Sequence, residues 1–307
     1  LGALQLMLEK GEQKDWFQSA FIVWLAVFSA AGMALFVWRE LAAERPAVDL
    51  RVLKNLPFAS GTMLGGILGI GLYGSLFLLP LFLQQLLGYP AFDSGLVLMP
   101  RSLAMAFMMP VAGRLYNRLG PRVLIGAGLV VTALSFWQLS TMSLDVGFLD
   151  LLVPQTLQGA GFGMIFVALS TAALASIKKA EMTAATGLYN VVRQVFGSVG
   201  IAITATELTR GENIFRADLV RDVTPYTANS SNFVRVMTGA MIRQGNDPAT
   251  AGYKALGILN NELDRQASML SYNHVFFLVT VIFVFCVPLV FFLKGGHGAE
   301  EGEIIID

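Results

Sequence analysis

The chain has 307 residues, 55% hydrophobic and 14% charged, and its 21 Lys and Arg residues balance its 21 Asp and Glu residues. A soluble domain carries about 25% charged residues, a disordered chain combines low hydrophobicity with high net charge, and a nucleic-acid-binding protein needs a basic surface. The composition argues against all three classes and indicates an integral membrane protein. The single cysteine, Cys286, excludes a disulfide framework.

Seven apolar segments are long enough to cross a bilayer as helices. The hydrocarbon layer is about 30 Å thick, so a helix that rises about 1.5 Å per residue needs about 20 apolar residues to span it. None of the segments alternates as a lipid-facing barrel strand does, and each is too long for one. We therefore predict an all-α integral membrane fold with spans at residues 17–38, 57–86, 94–113, 123–142, 147–177, 183–206 and 273–293.

Basic residues orient these spans. Three connections carry Lys or Arg, whereas connections 87–93 and 143–146 carry none. The basic residues are Arg39, Arg45, Arg51 and Lys54 in the first connection, Arg114, Arg118 and Arg122 in the second, and Lys178 and Lys179 in the third. Because positive charge in short loops resists translocation, we predict that these connections and the tail 294–307 are cytoplasmic and that segment 208–272 is extracytoplasmic. A short amphipathic helix is predicted in that segment, because leucines recur at positions 256, 259, 263 and 270.

The order of the spans predicts two parts. Residues 1–56 comprise the end of one linker helix, a second linker helix (17–38) and a cytoplasmic linker, and residues 57–293 form a six-helix bundle. Spans 57–142 and 147–293 are two triplets of opposite topology, as in transporters built from inverted repeats. The chain starts in an apolar run with neither a Met nor a signal-peptide pattern, so we expect it to be the C-terminal part of a larger protein.

Glycines concentrate in the first helix of each triplet. Small residues four apart let helices approach closely in lipid, which predicts static packing. Glycine also lowers helix stability by about 1 kcal/mol relative to alanine, which would instead let these helices bend during a conformational cycle. The residues are Gly61, Gly65, Gly66, Gly69, Gly71 and Gly74 in one helix and Gly159, Gly161 and Gly163 in the other.

Sequence signatures of hydrolytic and nucleotide-binding enzymes are missing. The chain has no HExxH, Gly-x-Ser-x-Gly or Gly-x-x-x-x-Gly-Lys motif. Its two histidines, His274 and His297, and the buried Cys286 make a poor set of metal ligands. We therefore predict that the protein is not an enzyme and holds no metal or cofactor.

Two arginines lie deep inside predicted spans, where charge is costly and usually functional. Arg101 is eight residues beyond Asp93 and Arg193 is ten beyond Thr183, which places them about 12 Å and 15 Å along their helices. Each could tie helices together through carbonyl, Gln or Asn groups, or could line a central cavity and meet an anionic or polar substrate group. Further polar candidates for this cavity are Tyr189, Asn190, Gln194, Gln84, Gln85, Gln155 and Gln158.

No Asp or Glu lies deep inside any predicted span. A proton-coupled carrier needs a titratable group inside the membrane, normally a carboxylate whose pKa is raised by burial. If the protein couples to protons, we expect that group in a part of the protein outside this sequence. Glu207 and Asp93, near the outer ends of two spans, are the weak local candidates.

Three stretches resemble a known transporter family. Residues 113–122 read GRLYNRLGPR, similar to the major-facilitator loop motif G-x-L-x-D-R-x-G-R, and the candidate conformational residues of this loop are Gly113, Asn117, Arg118, Gly120 and Arg122. Residues 187–200 read GLYNVVRQVFGSVG, similar to the penultimate-helix signature of the fourteen-spanner drug/proton antiporters of the EmrB/QacA type. The residues Leu87, Gly88 and Tyr89, followed by Gly95, Met99, Pro100 and Arg101, match that family as well. Asn117 replaces the Asp of the loop motif, which puts its charge-based interaction in doubt.

The resemblance covers essentially the whole chain and implies the last seven of fourteen helices. It implies export of hydrophobic or amphipathic compounds in exchange for protons, by alternating access, from the bacterial cytoplasmic (inner) membrane. The implied partners are the N-terminal transporter half, the lipid bilayer and, in Gram-negative bacteria, a periplasmic adaptor and an outer-membrane channel; nucleic acid is not among them. The alternatives are a carrier with a narrower substrate, such as a lipid or metabolite, a non-transporting scaffold that binds a partner through segment 208–272, and an inactive fragment.

Overall fold

The computed structural model describes residues 2–11, 14, 16–42, 50–175, 177–223 and 228–291, and these residues form helices and turns without a strand. The predicted tail 294–307 and part of the cytoplasmic linker lie outside this range. The helices are α1 (Gly2–Lys10), α2 (Ala20–Ala42), α3 (Leu56–Leu81), α4 (Ala91–Ser140), α5 (Phe148–Leu174), α6 (Met182–Asp222), α7 (Ala228–Arg243) and α8 (Pro248–Phe291). A π-helical segment, Phe82–Leu86, extends α3.

Five helices of the described chain are long and apolar enough to cross a membrane, which confirms the predicted all-α membrane fold. They are Ala20–Glu40, Leu56–Leu86, Ala91–Ser140, Phe148–Leu174 and Pro248–Val290. Two of the seven predicted spans, 94–113 and 123–142, lie together in α4. The span 183–206 lies in α6, which is not among the five because polar side chains such as Arg193 and Gln194 interrupt its apolar surface.

The first half of α4, before Gly120, runs parallel to α5. A Cβ atom added to Gly159 would overlap the carbonyl oxygen of Arg101, and one added to Gly163 would lie 3.0 Å from the Cβ of Met108. Residue numbers therefore rise together along the two helices. The backbones approach this closely because the α5 residues at the contact have no side chain.

The second half of α4 runs antiparallel to α5. A Cβ added to Gly128 would lie 2.8 Å from Cγ1 of Ile165, and further along α4 the hydroxyl of Ser135 donates to the carbonyl oxygen of Pro154 at 2.7 Å. Here the residue numbers fall along α5 as they rise along α4. Since its halves run in opposite directions against one helix, α4 is a hairpin that reverses at Gly120.

The hairpin replaces the predicted open loop of residues 113–123. Helical residues continue on both sides of Gly120, which alone has a non-helical backbone, with φ 77° and ψ 166°. Residues other than glycine are almost never found in this region, because their Cβ atom would be strained. One glycine therefore makes the turn for which a loop was predicted.

Replacing Gly120 by Ala should destabilise the hairpin by about 1–3 kcal/mol, because the strain lies in the backbone and not in packing. No atom lies within 4 Å of the Cβ that the substitution adds. Equilibrium unfolding in mixed micelles measures the loss. Gly126→Ala, in the helical part of α4 with equally open space, is the matched control. Equal stability of the two variants would contradict the proposed strain.

Helices α3 and α6 lie side by side in parallel. Cβ atoms added to α3 would reach Tyr189 from Gly65, at 2.9 Å, and Thr204 from Gly74, at 2.8 Å. The glycine stripe of α3 thus forms a groove that receives the larger side chains of α6. These contacts are those that the static-packing interpretation of the glycines predicts.

Aromatic side chains fill the core between α4, α5 and α8. Phe136 stacks on Phe283 with ring centroids 5.6 Å apart, and both rings pack against Phe162. All three side chains are buried. By contrast, α2 exposes large apolar side chains such as Trp24 and Phe28, as expected for a helix surrounded by lipid.

Helices α6 and α8 are much longer than a bilayer is thick. They have 41 and 44 residues, about 60 Å each, against a hydrocarbon layer of about 30 Å. Beyond the predicted spans they stay together, because Arg216 of α6 binds Asp264 at 2.5 Å and Asn260 at 2.9 Å. The short amphipathic helix predicted in segment 208–272 is wrong in length, since it forms the first part of the continuous α8.

Candidate substrate cavity

A cavity of about 110 Å³ lies between α3, α5 and α6, with single contributions from α4 and α8. Two glycines of α3, Gly65 and Gly69, line one side and provide space that side chains would otherwise fill. The other walls are mostly apolar, formed by residues that include Leu68, Leu72, Phe162, Ile165, Leu169 and Phe283. A mainly apolar lining with few polar groups is typical of a ligand pocket.

Arg193 is the charged side chain of this cavity. Its stem passes Gly69, where an added Cβ would lie 3.3 Å from Cγ of Arg193 and 2.9 Å from its carbonyl oxygen. Its guanidinium carbon lies 4.8 Å from the ring centroid of Phe166 and 5.9 Å from that of Tyr189. Nη2 donates a hydrogen bond to Oδ1 of Asn190 at 3.1 Å. Cation–π contacts of this kind hold a guanidinium without neutralising its charge.

Three predicted cavity residues from the same helix have different positions. Tyr189 lines the cavity, and Asn190 orients Arg193 through its amide oxygen. Gln194 instead donates from Nε2 to Oε1 of Gln5 at 3.3 Å, and so connects α6 to α1. Adjacent positions on a helix point in directions about 100° apart, which accounts for the separation of Arg193 from Gln194.

Arg101 lies inside the bundle and is not among the residues that line the cavity. Its side chain is only 9% exposed, and its Nη1 donates to Oε1 of Gln158 at 3.2 Å. Gln155 is fully buried, and both of its amide atoms, together with Nε2 of Gln158, lack a protein partner in the described structure. The contact between Arg101 and Gln158 joins α4 to α5, as the helix-tying alternative expects.

The remaining polar candidates lie away from the cavity lining. Gln84 and Gln85 are exposed in the π-helical segment that follows Pro80. Glu207 is 32% exposed and lies 3.9 Å from Arg210 in the next turn of α6. Asp93 lies in the first turn of α4, where the helix dipole stabilises a negative charge.

The loop-motif residues gather where α4 reverses. Asn117, Arg118 and Arg122 are exposed around Gly120. Gly113, one helical turn earlier than Asn117, has no atom within 4 Å of an added Cβ. The basic side chains therefore surround the hairpin turn.

Phe166 is a cavity residue that sequence reasoning missed. It supplies the ring nearest to Arg193, yet in the sequence it is one phenylalanine in an apolar span. Its position four residues after Phe162, on the helix that carries Gly159 and Gly163, was the available signal, because residues four apart share a helix face.

Similar proteins are transporters and resistance proteins. The chain is 31% identical over 305 residues to the fatty acid resistance protein FarB of Neisseria gonorrhoeae, covering 97% of this chain and 58% of that protein. It is 29% identical over 303 residues to the multidrug export protein EmrB of Escherichia coli, covering 98% and 58%. It is also 29% identical over 214 residues to the lincomycin resistance protein LmrB of Listeria innocua, covering 70% and 45%.

The chain thus spans a little over half the length of the first two relatives. The family model for the Major Facilitator Superfamily matches residues 7–201, which is more than half of the chain. This match runs from α1 into α6 and includes every helix that forms a wall of the cavity except α8. The chain is therefore a multi-pass membrane protein that belongs to the Major Facilitator Superfamily of transporters.

Proposed function

We propose that the chain supplies the C-terminal bundle of an exporter of hydrophobic or amphipathic compounds. The observation that carries this proposal is an apolar cavity that contains one guanidinium, that of Arg193. The position of Arg193 along its helix puts this cavity about halfway across the membrane. An apolar wall suits many hydrophobic compounds, and one polar group orients them. The names of the relatives, which refer to multidrug export and to resistance to fatty acids and lincomycin, support export as the activity.

Proton exchange and alternating access complete the proposal. The family likeness supports both, and the proton-binding carboxylate would lie in a region that pairs with this bundle. We further propose that the basic ends around Gly120 face the bacterial cytoplasm, as the positive-inside rule requires. The extensions of α6 and α8 would then face outward, where they could contact an adaptor protein.

The complete native gene product, expressed in bacteria that lack their own efflux systems, tests this function. Intracellular accumulation of several unrelated toxic compounds should fall, and an uncoupler that collapses the proton gradient should restore it. Protection against a single class of compound would favour the narrower carrier for a lipid or metabolite. Accumulation that is unchanged for every compound would support the scaffold or the inactive fragment and refute export.

Arg193→Ala in the complete protein should lower export about tenfold or more, because one hydrogen bond to a charged group contributes about 1.5–3 kcal/mol. Arg193→Lys should retain part of the activity, since lysine keeps the charge but not the planar fork. Export is measured as initial efflux rate, with the amount of protein in the membrane measured in parallel. Export at the native rate by Arg193→Ala, at equal membrane abundance, would remove Arg193 from the site.

A further inference from the structure

We propose that the cavity is a head-group site for an anion, and that Arg193 makes the transporter select amphipathic carboxylates over cations with the same apolar tail. The proposal rests on the export function and specifies its substrate class. It depends on three features of the site: an uncompensated charge, covered aromatic faces and the size of the cavity.

The charge of Arg193 has no opposite charge beside it. Within the described part of the chain, no carboxylate lies within ion-pair distance of its guanidinium. The other residues that line the cavity are uncharged. The walls around this half-buried side chain are mostly apolar, and an unpaired charge is unfavourable beside them. A monovalent anion would remove this penalty on binding.

The geometry favours a carboxylate. The guanidinium has five N–H donors, and Asn190 accepts from one of its nitrogens. No other hydrogen bond from the side chain of Arg193 occurs among the residues that the structure describes. The remaining donors lie at the edge of a planar fork whose spacing matches the two oxygens of a carboxylate. A dianionic phosphate would instead leave one negative charge unbalanced in the same apolar walls.

The aromatic rings argue against a cationic ligand. Phe166 and Tyr189 would attract a cation to their faces, but Arg193 already lies 4.8 Å and 5.9 Å from their centroids. A second cation at either of these two rings would therefore meet repulsion from the guanidinium. Specificity of this kind comes from a repulsive element as well as an attractive one.

The size of the cavity defines what part of the ligand it holds. An engineered apolar cavity of about 150 Å³ binds benzene, so this cavity of about 110 Å³ has room for a carboxylate and its nearest carbons. Leu68, Leu72 and Ile165 supply apolar contacts for those carbons. The rest of the tail would extend out of the bundle.

Three ligands with one tail test the proposal: decanoate, uncharged decanamide and decyltrimethylammonium. Their affinities are measured at neutral pH on the complete native protein in nanodiscs. We expect the native protein to prefer decanoate. Arg193→Gln should weaken decanoate binding about tenfold or more and change decanamide binding about twofold at most. Arg221→Gln removes a cation from an 82% exposed side chain on the same helix and should leave all three affinities unchanged.

Two results would overturn the proposal. One is that the native protein binds decyltrimethylammonium as tightly as it binds decanoate. This comparison uses the native protein alone, so it does not depend on whether a variant folds. The other is an equal loss of decanoate and decanamide affinity in Arg193→Gln, which would make Arg193 a packing residue. Failure of the export function would appear separately, as unchanged cellular accumulation of every compound while the preference for decanoate persists.

Discussion

Replacing Gly159 by Ala should force α4 and α5 apart and destabilise the bundle by about 3 kcal/mol or more. The added methyl group would overlap the carbonyl oxygen of Arg101 and lie 3.0 Å from Cβ of Ala104. Overpacking usually lowers stability by about 1–3 kcal/mol, and the upper end applies where the obstacle is backbone and no side chain can rotate away. Equilibrium unfolding in mixed micelles measures the change.

Gly187→Ala is the matched control for this prediction. Gly187 is also helical, and no atom lies within 4 Å of the Cβ that alanine would add. Alanine should be neutral or slightly stabilising there, because it favours helix more than glycine does. If both variants unfolded at the same denaturant concentration, α4 and α5 could not be in backbone contact at Gly159.

Gln158→Leu should be almost as damaging, with a loss of about 1.5–3 kcal/mol. It removes the hydrogen-bond partner of the buried Arg101, and a buried hydrogen bond to a charged group contributes about that much. Arg101→Met should cost about 1–3 kcal/mol, since it leaves only the neutral amide of Gln158 unsatisfied. The double variant should approach native stability, because apolar side chains of similar volume replace both partners.

This double-mutant cycle also tests whether Arg101 takes part in export. If Arg101 only joins α4 to α5, the stable double variant should export compounds at close to the native rate. Additive losses of stability would show that Arg101 and Gln158 do not interact in the membrane. A stable double variant without export would instead return Arg101 to the group of substrate-binding residues.

The positions of charged residues within the apolar segments of the sequence were sufficient to predict part of the site. Arg193 stood out because a charge deep in an apolar span is expensive, and the structure places it in the cavity with Tyr189. Arg101 carried the same sequence signal, yet its side chain lies against Gln158 within the bundle. Depth along a helix follows from residue number, but the direction of a side chain depends on which neighbouring helix covers it.

Segment lengths were predicted less well than segment identities. A hydropathy pattern shows only where an apolar segment ends, whereas a helix ends where its backbone hydrogen bonds end. Helices α6 and α8 therefore continue far beyond their predicted spans. The reversal at Gly120 was hidden for a related reason. Its φ of 77° is a property of the folded backbone, and many other glycines of this chain lie inside helices.

The sequence by itself determined that this is an all-helical membrane protein, which residues can lie at mid-membrane depth, and which family its motifs resemble. These properties depend on transfer of side chains between water and lipid and on short-range patterns. Only the tertiary structure decided that Gly69 makes room for Arg193 and that Phe166 lies beside the guanidinium of Arg193. It also decided that Arg101 is buried between α4 and α5. Those contacts join residues far apart in the chain, and packing in lipid depends on shape, which hydropathy does not encode.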